Sequence, residues 1–190
     1  MSSPSQLEEY VSVFAESKRR ARDLAGPLSE SQFNWKPSAR QWSVGECLDH
    51  LNRVARGYVP AMESAVRSAD RQGREPFHYG WLSRKFIASV GPGSRRLKTA
   101  GGMKPPSAGS DHSELNKDET LAEFEELTDG YIGVVREAQR IDLSAVKVRS
   151  PFLWFFRLPV GAFMEGLGGH AIRHLDQAER VTMLDDFPDR

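Results

Sequence analysis

Apolar residues recur every three or four positions in four separate stretches, and this restricts the fold of the chain more than any other feature. The first stretch, residues 5–25, sets Leu7, Val11, Phe14, Ala21, Leu24 and Ala25 on one helical face and stops at Gly26-Pro27. The second opens at Ser43-Val-Gly-Glu46, a capping box in which the serine hydroxyl accepts from the third helical N–H and the glutamate reaches back. Val44, Leu48, Leu51, Val54, Tyr58, Met62 and Val66 then hold a helical period to about Asp70, with Pro60 predicting a kink. The third follows Asn116-Lys-Asp-Glu119 and carries Leu121, Phe124, Leu127, Tyr131, Val134 and Val135 to about Arg140. The fourth takes Pro159 as its first residue and runs through Phe163, Leu167, Ala171, His174, Ala178 and Val181. Strand alternation is nowhere convincing. Four amphipathic helices in 190 residues predict one all-α domain spanning 1–190, an antiparallel four-helix bundle.

The connections are unequal. Residues 26–42 combine turn chemistry with Phe33, Trp35 and Trp42, which predicts an ordered connection packed on the bundle end. Residues 71–117 form a long excursion, and hence a long crossover between the second and third helices, with one short helix at 81–90. Charge is lopsided there. Arg67 to Lys104 has nine basic and two acidic residues, a balance of +7, while Asp111 to Asp129 has eight acidic and one basic, −7. The simpler expectation is two solvated faces that attract each other; the sharper one is a basic lid that recruits an anionic substrate.

Composition removes several classes of function. Lys and Arg total 26, as do Asp and Glu, so no overall field favours nucleic acid. The most apolar stretch, Pro151 to Gly169, is broken by Arg157, Pro159, Glu165 and four glycines, so neither a membrane span nor a membrane partner is expected. The first residues lack a basic and apolar leader, which makes the cytoplasm the expected location. One cysteine, Cys47, excludes an internal disulfide or a zinc ribbon, and any metal must be held by His, Asp or Glu.

His170 and His174 are four residues apart, so both imidazoles leave one helical face and can share an ion. His50 sits in the second helix beside the core-facing Leu48 and Leu51, where it can supply a third nitrogen from a facing helix. Three nitrogens with open positions are typical of a catalytic rather than a closed structural centre. Satisfied core histidines are the competing reading. His78 and His112 fall in the polar excursion and receive no role.

Trp42-Ser-Val-Gly-Glu-Cys-Leu-Asp-His50-Leu, preceded by Leu28-Ser-Glu-Ser-Gln-Phe-Asn-Trp-Lys-Pro37, resembles the N-terminal signature of the DinB-like family of metal-dependent proteins, which is unrelated to the DNA polymerase of similar name. His170-Ala-Ile-Arg-His174-Leu-Asp-Gln-Ala-Glu-Arg180 resembles its C-terminal signature, and Arg96-Leu-Lys-Thr and Lys104-Pro-Pro106 its basic middle segment. The resemblance implies a four-helix bundle with zinc or nickel held by His50, His170 and His174. It also implies either hydrolysis or thiol-dependent transfer on a small molecule, the latter with a low-molecular-weight thiol; non-catalytic binding of a metal or small molecule is the alternative.

Either chemistry needs groups beside the ion. Glu46, one turn before His50, is a candidate base, fourth ligand or supporting partner, against its capping role. Gln177, one turn after His174, can hydrogen-bond substrate or water but cannot act as a base. Asp49 and Asp176 are read as surface carboxylates and Cys47 as a small buried hydrophobe. Trp35, Trp42, Tyr58, Trp81 and Trp154 are candidate pocket walls, and Gly166, Gly168 and Gly169 are expected to permit close helix packing. A homodimer through exposed bundle faces is expected on symmetry grounds.

Overall fold

The computed structural model describes residues 4–94 and 101–189. Six helices and a small hairpin follow in order: α1 (Gln6–Ala25), α2 (Glu30–Asn34), α3 (Val44–Arg67), α4 (Trp81–Val90), a 3-10 turn (Gly101–Met103), α5 (Lys117–Glu137), β1 (Lys147–Arg149), β2 (Arg157–Pro159) and α6 (Val160–Thr182). The four long helices α1, α3, α5 and α6 are those expected from the periodicity, and the short helix lies at 81–90 as expected. Arg96-Leu-Lys-Thr lies outside the described residues.

Local chemistry explains the helix starts. Ser5 with Glu8, Ser29 with Gln32 and Ser43 with Glu46 each form a reciprocal capping box, whereas Asn116 caps α5 through its side chain to the Glu119 N–H. α2 was not expected. Its Ser29-x-x-Gln32 signal stands in the sequence, but a five-residue helix has no periodicity to read. The hairpin went unexpected for the same reason, since strands of three residues cannot establish an alternation. Pro159 is the last residue of β2 and caps α6 rather than opening it.

Cross-helix contacts fix the directions. Lys18 bonds Asp129 and Arg22 bonds Glu125, so α1 and α5 run antiparallel. Asn52 reaches Thr120 while Arg67 reaches Glu137, so α3 and α5 run parallel. Tyr58 packs on Phe163 and His50 meets His170, which makes α3 and α6 antiparallel. The long crossover between α3 and α5 is what allows those two helices to run the same way. The interior divides into two apolar clusters, one around Phe14, Met62 and Phe163, the other around Phe33, Leu48 and Leu175.

Among the described residues, Asp129 and Glu125 of the acidic run pair with Lys18 and Arg22 on α1, and Glu123 pairs with Arg56 on α3, while Arg95, Arg96 and Lys98 of the basic block lie outside the described residues. Nearness explains this, because α5 packs against α1 and α3 along its length. Among the described residues, no helix is long and apolar enough to cross a membrane.

Candidate metal centre

Every residue from 43 to 52 is buried, so this part of α3 is covered on all sides. The cover comes from the excursion, which folds back after the 3-10 turn. Asn34 accepts from the Ser113 hydroxyl and the Leu115 N–H, and it donates to the Leu115 carbonyl, pinning the returning chain at the end of α2. Closer in, the Lys36 ammonium donates to Glu46 Oε1 and to the Ser107 carbonyl, each at 2.9 Å, and the Ser107 hydroxyl donates to Glu46 Oε1 at 2.7 Å.

Beneath this cover His50 from α3 meets His170 and His174 from α6. The three ring centroids are 4.6–5.1 Å apart, and one ligand nitrogen from each lies within 4.8 Å of the others. Nδ1 of His50 is 2.6 Å from the Met103 carbonyl oxygen. A carbonyl only accepts, so Nδ1 carries the proton and Nε2 keeps a lone pair. That Nε2 lies 3.3 Å from Nε2 of His170. Two nitrogens each about 2.0–2.1 Å from a tetrahedral zinc are separated by about the same distance. Nδ1 of His174 is buried with no hydrogen-bond partner, an uncompensated polar atom that coordination of an ion through that nitrogen would account for. On donor type, spacing and orphaned nitrogen, the residues fit a divalent ion.

Electrostatics keep the donors free. Burial lowers the pKa of His50, although the Met103 bond opposes it. Burial pushes His170 down to about 3, helped by the neighbouring His50, and it holds His174 well below the ordinary histidine value. The Arg173 charge bears on all three in the same direction. Neutral imidazoles are the form that binds metal.

The other candidates separate clearly. Glu46 is wholly buried; Oε2 accepts from the Ser43 N–H and Oε1 from Lys36 and Ser107, so its carboxylate is engaged in holding the excursion on α3. Gln177 is half-buried and exerts the weakest of the influences on the His174 ring. Cys47 is fully buried with its thiol pKa raised by desolvation, the small hydrophobe expected. Asp49 is no surface carboxylate: it is buried and accepts from Arg53, one turn along α3, at 2.6 Å. Asp176 is partly exposed and accepts from Arg20. Of the five aromatics, Trp42 reaches the cluster, stacking on His174 at 5.6 Å and standing 5.0 Å from His50. Trp35 packs on Phe187, Tyr58 on Phe152 and Phe163, while Trp81 and Trp154 face solvent. Gly166 and Gly168 do permit close approach: a Cβ at Gly166 would stand 2.5 Å from the Phe86 ring, and one at Gly168 3.0 Å from Val13. Lys36 and the Met103 carbonyl were not found from the sequence. The first looks like any loop lysine, and the second acts through its backbone, which no side-chain pattern announces.

A family model described as the DinB superfamily matches residues 14–178, so the chain belongs to that superfamily. It is also similar to "Uncharacterized protein YuaE" of Bacillus subtilis (strain 168), at 22% identity over 171 residues, covering 90% of this chain and 96% of that protein. No solved structure matches.

Proposed function

We propose that His50, His170 and His174 hold one divalent ion, zinc or nickel, in an open site, and that the protein is a metal-dependent hydrolase or thiol-dependent transferase acting on a small molecule. The observation that carries this reading is the meeting of three neutral imidazoles from two helices, with a buried His174 nitrogen left unpartnered. An ion so held supplies Lewis-acid polarisation and activates a water, or a low-molecular-weight thiol, near neutral pH. His50 is oriented by Met103, and Trp42 shields the His174 and His50 rings from water. Gln177 offers an amide for substrate or water. Glu46 supports the site rather than moving a proton, because both its oxygens are engaged.

That engagement also favours a second reading, a non-catalytic metal- or small-molecule-binding protein of the same fold. The two separate on turnover. The zinc- or nickel-loaded protein is assayed on ester and amide substrates and on thiol transfer to electrophiles, beside a His50→Ala, His174→Ala variant. Turnover lost in the variant supports the enzyme, and metal binding without turnover supports the second reading. Cytoplasmic location and a two-fold dimer through exposed bundle faces belong to the proposal, and a monomer throughout a concentration series in sedimentation velocity would remove the dimer.

A further inference from the structure

Outside the bundle, two segments leave large apolar side chains in solvent. Trp81 and Leu82 open α4, and Leu153, Trp154 and Phe155 form the tip of the β1–β2 hairpin, with Trp81, Trp154 and Phe155 exposed to 69%, 78% and 67%. The tip is a built turn. The Ser150 N–H donates to the Phe156 carbonyl and the Phe156 N–H to the Leu153 carbonyl, both at 2.8 Å, while the Ser150 hydroxyl accepts from the N–H groups of Phe152 and Leu153. Phe152 and Phe156, on either side, turn inward onto Tyr58 and onto Phe86 and Phe163. The three tip side chains are thus held outward by an ordered backbone, an arrangement that marks an interaction site. Phe86 joins the hairpin to α4, and Leu82 lies one turn before it, on the same helical side.

Within these two segments the charges have one sign, with Glu165 on α6 near enough to Arg84 to feel its charge. Residues 76–94 carry Arg84 and Lys85, residues 143–159 carry Lys147, Arg149 and Arg157, and neither segment contains an Asp or Glu. The Lys85 ammonium stands 4.3 Å over the Trp81 ring, and Arg149 donates to the Trp154 carbonyl, which ties cation and aromatic together at both places. An apolar knob on a six-residue turn offers far less than the roughly 800 Å² per partner of a standard protein interface. A second copy would have to meet the cations with carboxylates, and Asp129, Glu125 and Glu123 of the acidic run are already paired with Lys18, Arg22 and Arg56. Tryptophan rings flanked by Lys and Arg do suit the headgroup region of an anionic membrane, where the rings sit at the interface and the cations meet lipid phosphates.

We infer that the hairpin tip and α4 dock the protein on the surface of anionic lipid bilayers, with Trp154 and Phe155 entering the headgroup layer. This surface attachment departs from the expectation of no membrane partner, which rested on the lack of a spanning stretch, and it needs no spanning helix. It is independent of the histidine cluster and of any ion there.

The test is co-sedimentation of the whole protein with vesicles of phosphatidylcholine alone and of an equal mixture of phosphatidylcholine and phosphatidylglycerol. Binding is expected to the mixture, weakened by added salt. It is expected to be lost in Trp154→Ser, Phe155→Ser, a change of solvent-exposed side chains that leaves the circular dichroism spectrum intact. Arg149→Gln, Arg157→Gln should weaken binding on the order of tenfold or more, since each cation near such a surface contributes appreciably. Failure to bind the anionic vesicles, or equal binding by the tip variant, overturns the inference. A concentration-dependent dimer that the tip variant abolishes, without vesicle binding, overturns it in favour of a second copy as the occupant.

Discussion

The Met103 carbonyl oxygen lies 2.6 Å from Nδ1 of His50 and fixes which ring nitrogen is free to face His170. Met103 belongs to the excursion, and four residues further on Ser107 is anchored to the buried Lys36–Glu46 pair. The excursion is therefore part of the candidate metal centre, because it orients one of the three imidazoles from outside the bundle.

Removing the Ser107 hydroxyl tests this link. Ser107→Ala should lower affinity for zinc or nickel about tenfold, the lower end for loss of a group that supports a ligand indirectly. Competition with a metallochromic chelator measures it, and affinity equal to that of the parent would show that Met103 is held in place without this anchor.

The Lys36–Glu46 pair makes a separate prediction about stability. Both side chains are fully buried, so Lys36→Met leaves a carboxylate without its cation and should cost about 3–5 kcal/mol in urea unfolding. The double variant Lys36→Met, Glu46→Leu should recover most of that loss, since replacing both charges with apolar groups of similar volume is often neutral. A single variant as stable as the parent would contradict the buried ion pair.

Gly166 faces Phe86, which is itself wedged against Phe156 and Phe163. Two effects oppose each other in Gly166→Ala. Helix propensity favours alanine by about 1 kcal/mol, whereas overpacking costs about 1–3 kcal/mol, so net destabilisation is expected. Denaturant unfolding decides the sign, and a more stable variant would mean that the α4–α6 contact gives way easily.

Acid should weaken the metal-free protein through its histidines. Their folded-state pKa values are lowered by burial, so as pH falls below about 6.5 the unfolded chain takes up protons first. The stability these groups contribute is present above that pH and is lost progressively toward the folded value of His170, about 3. Comparison with His170→Gln, His174→Gln isolates them from other groups, notably Glu165, whose raised pKa acts in the opposite direction. Parallel stability–pH curves for parent and variant between pH 7 and pH 5 would contradict neutral buried imidazoles.

The long helices were legible because each repeats its apolar spacing over several turns, and Ser43 with Glu46 marks the start of α3 in side-chain chemistry alone. His170 and His174 were legible because a single helix sets their geometry. That His50 joins them depends on how α3 and α6 pack, which spacing only makes possible. The sequence is silent where backbone or burial decides. Met103 acts through a carbonyl, Lys36 is buried with its ammonium on the Ser107 carbonyl of the excursion, and the burial of Asp49 is decided by packing that spacing does not reveal. The partners of Glu123, Glu125 and Asp129 could not be read from the sequence, which shows blocks of charge, while tertiary packing selects which cations come near.

Elemental analysis of the untagged protein, beside a His50→Ala, His174→Ala variant and after dialysis against zinc or nickel, tests the central claim most directly. About one divalent ion per chain in the parent and none in the variant, with helicity retained in both, is the predicted result. A parent that retains no ion, or a variant that retains as much as the parent, would contradict a three-histidine metal site.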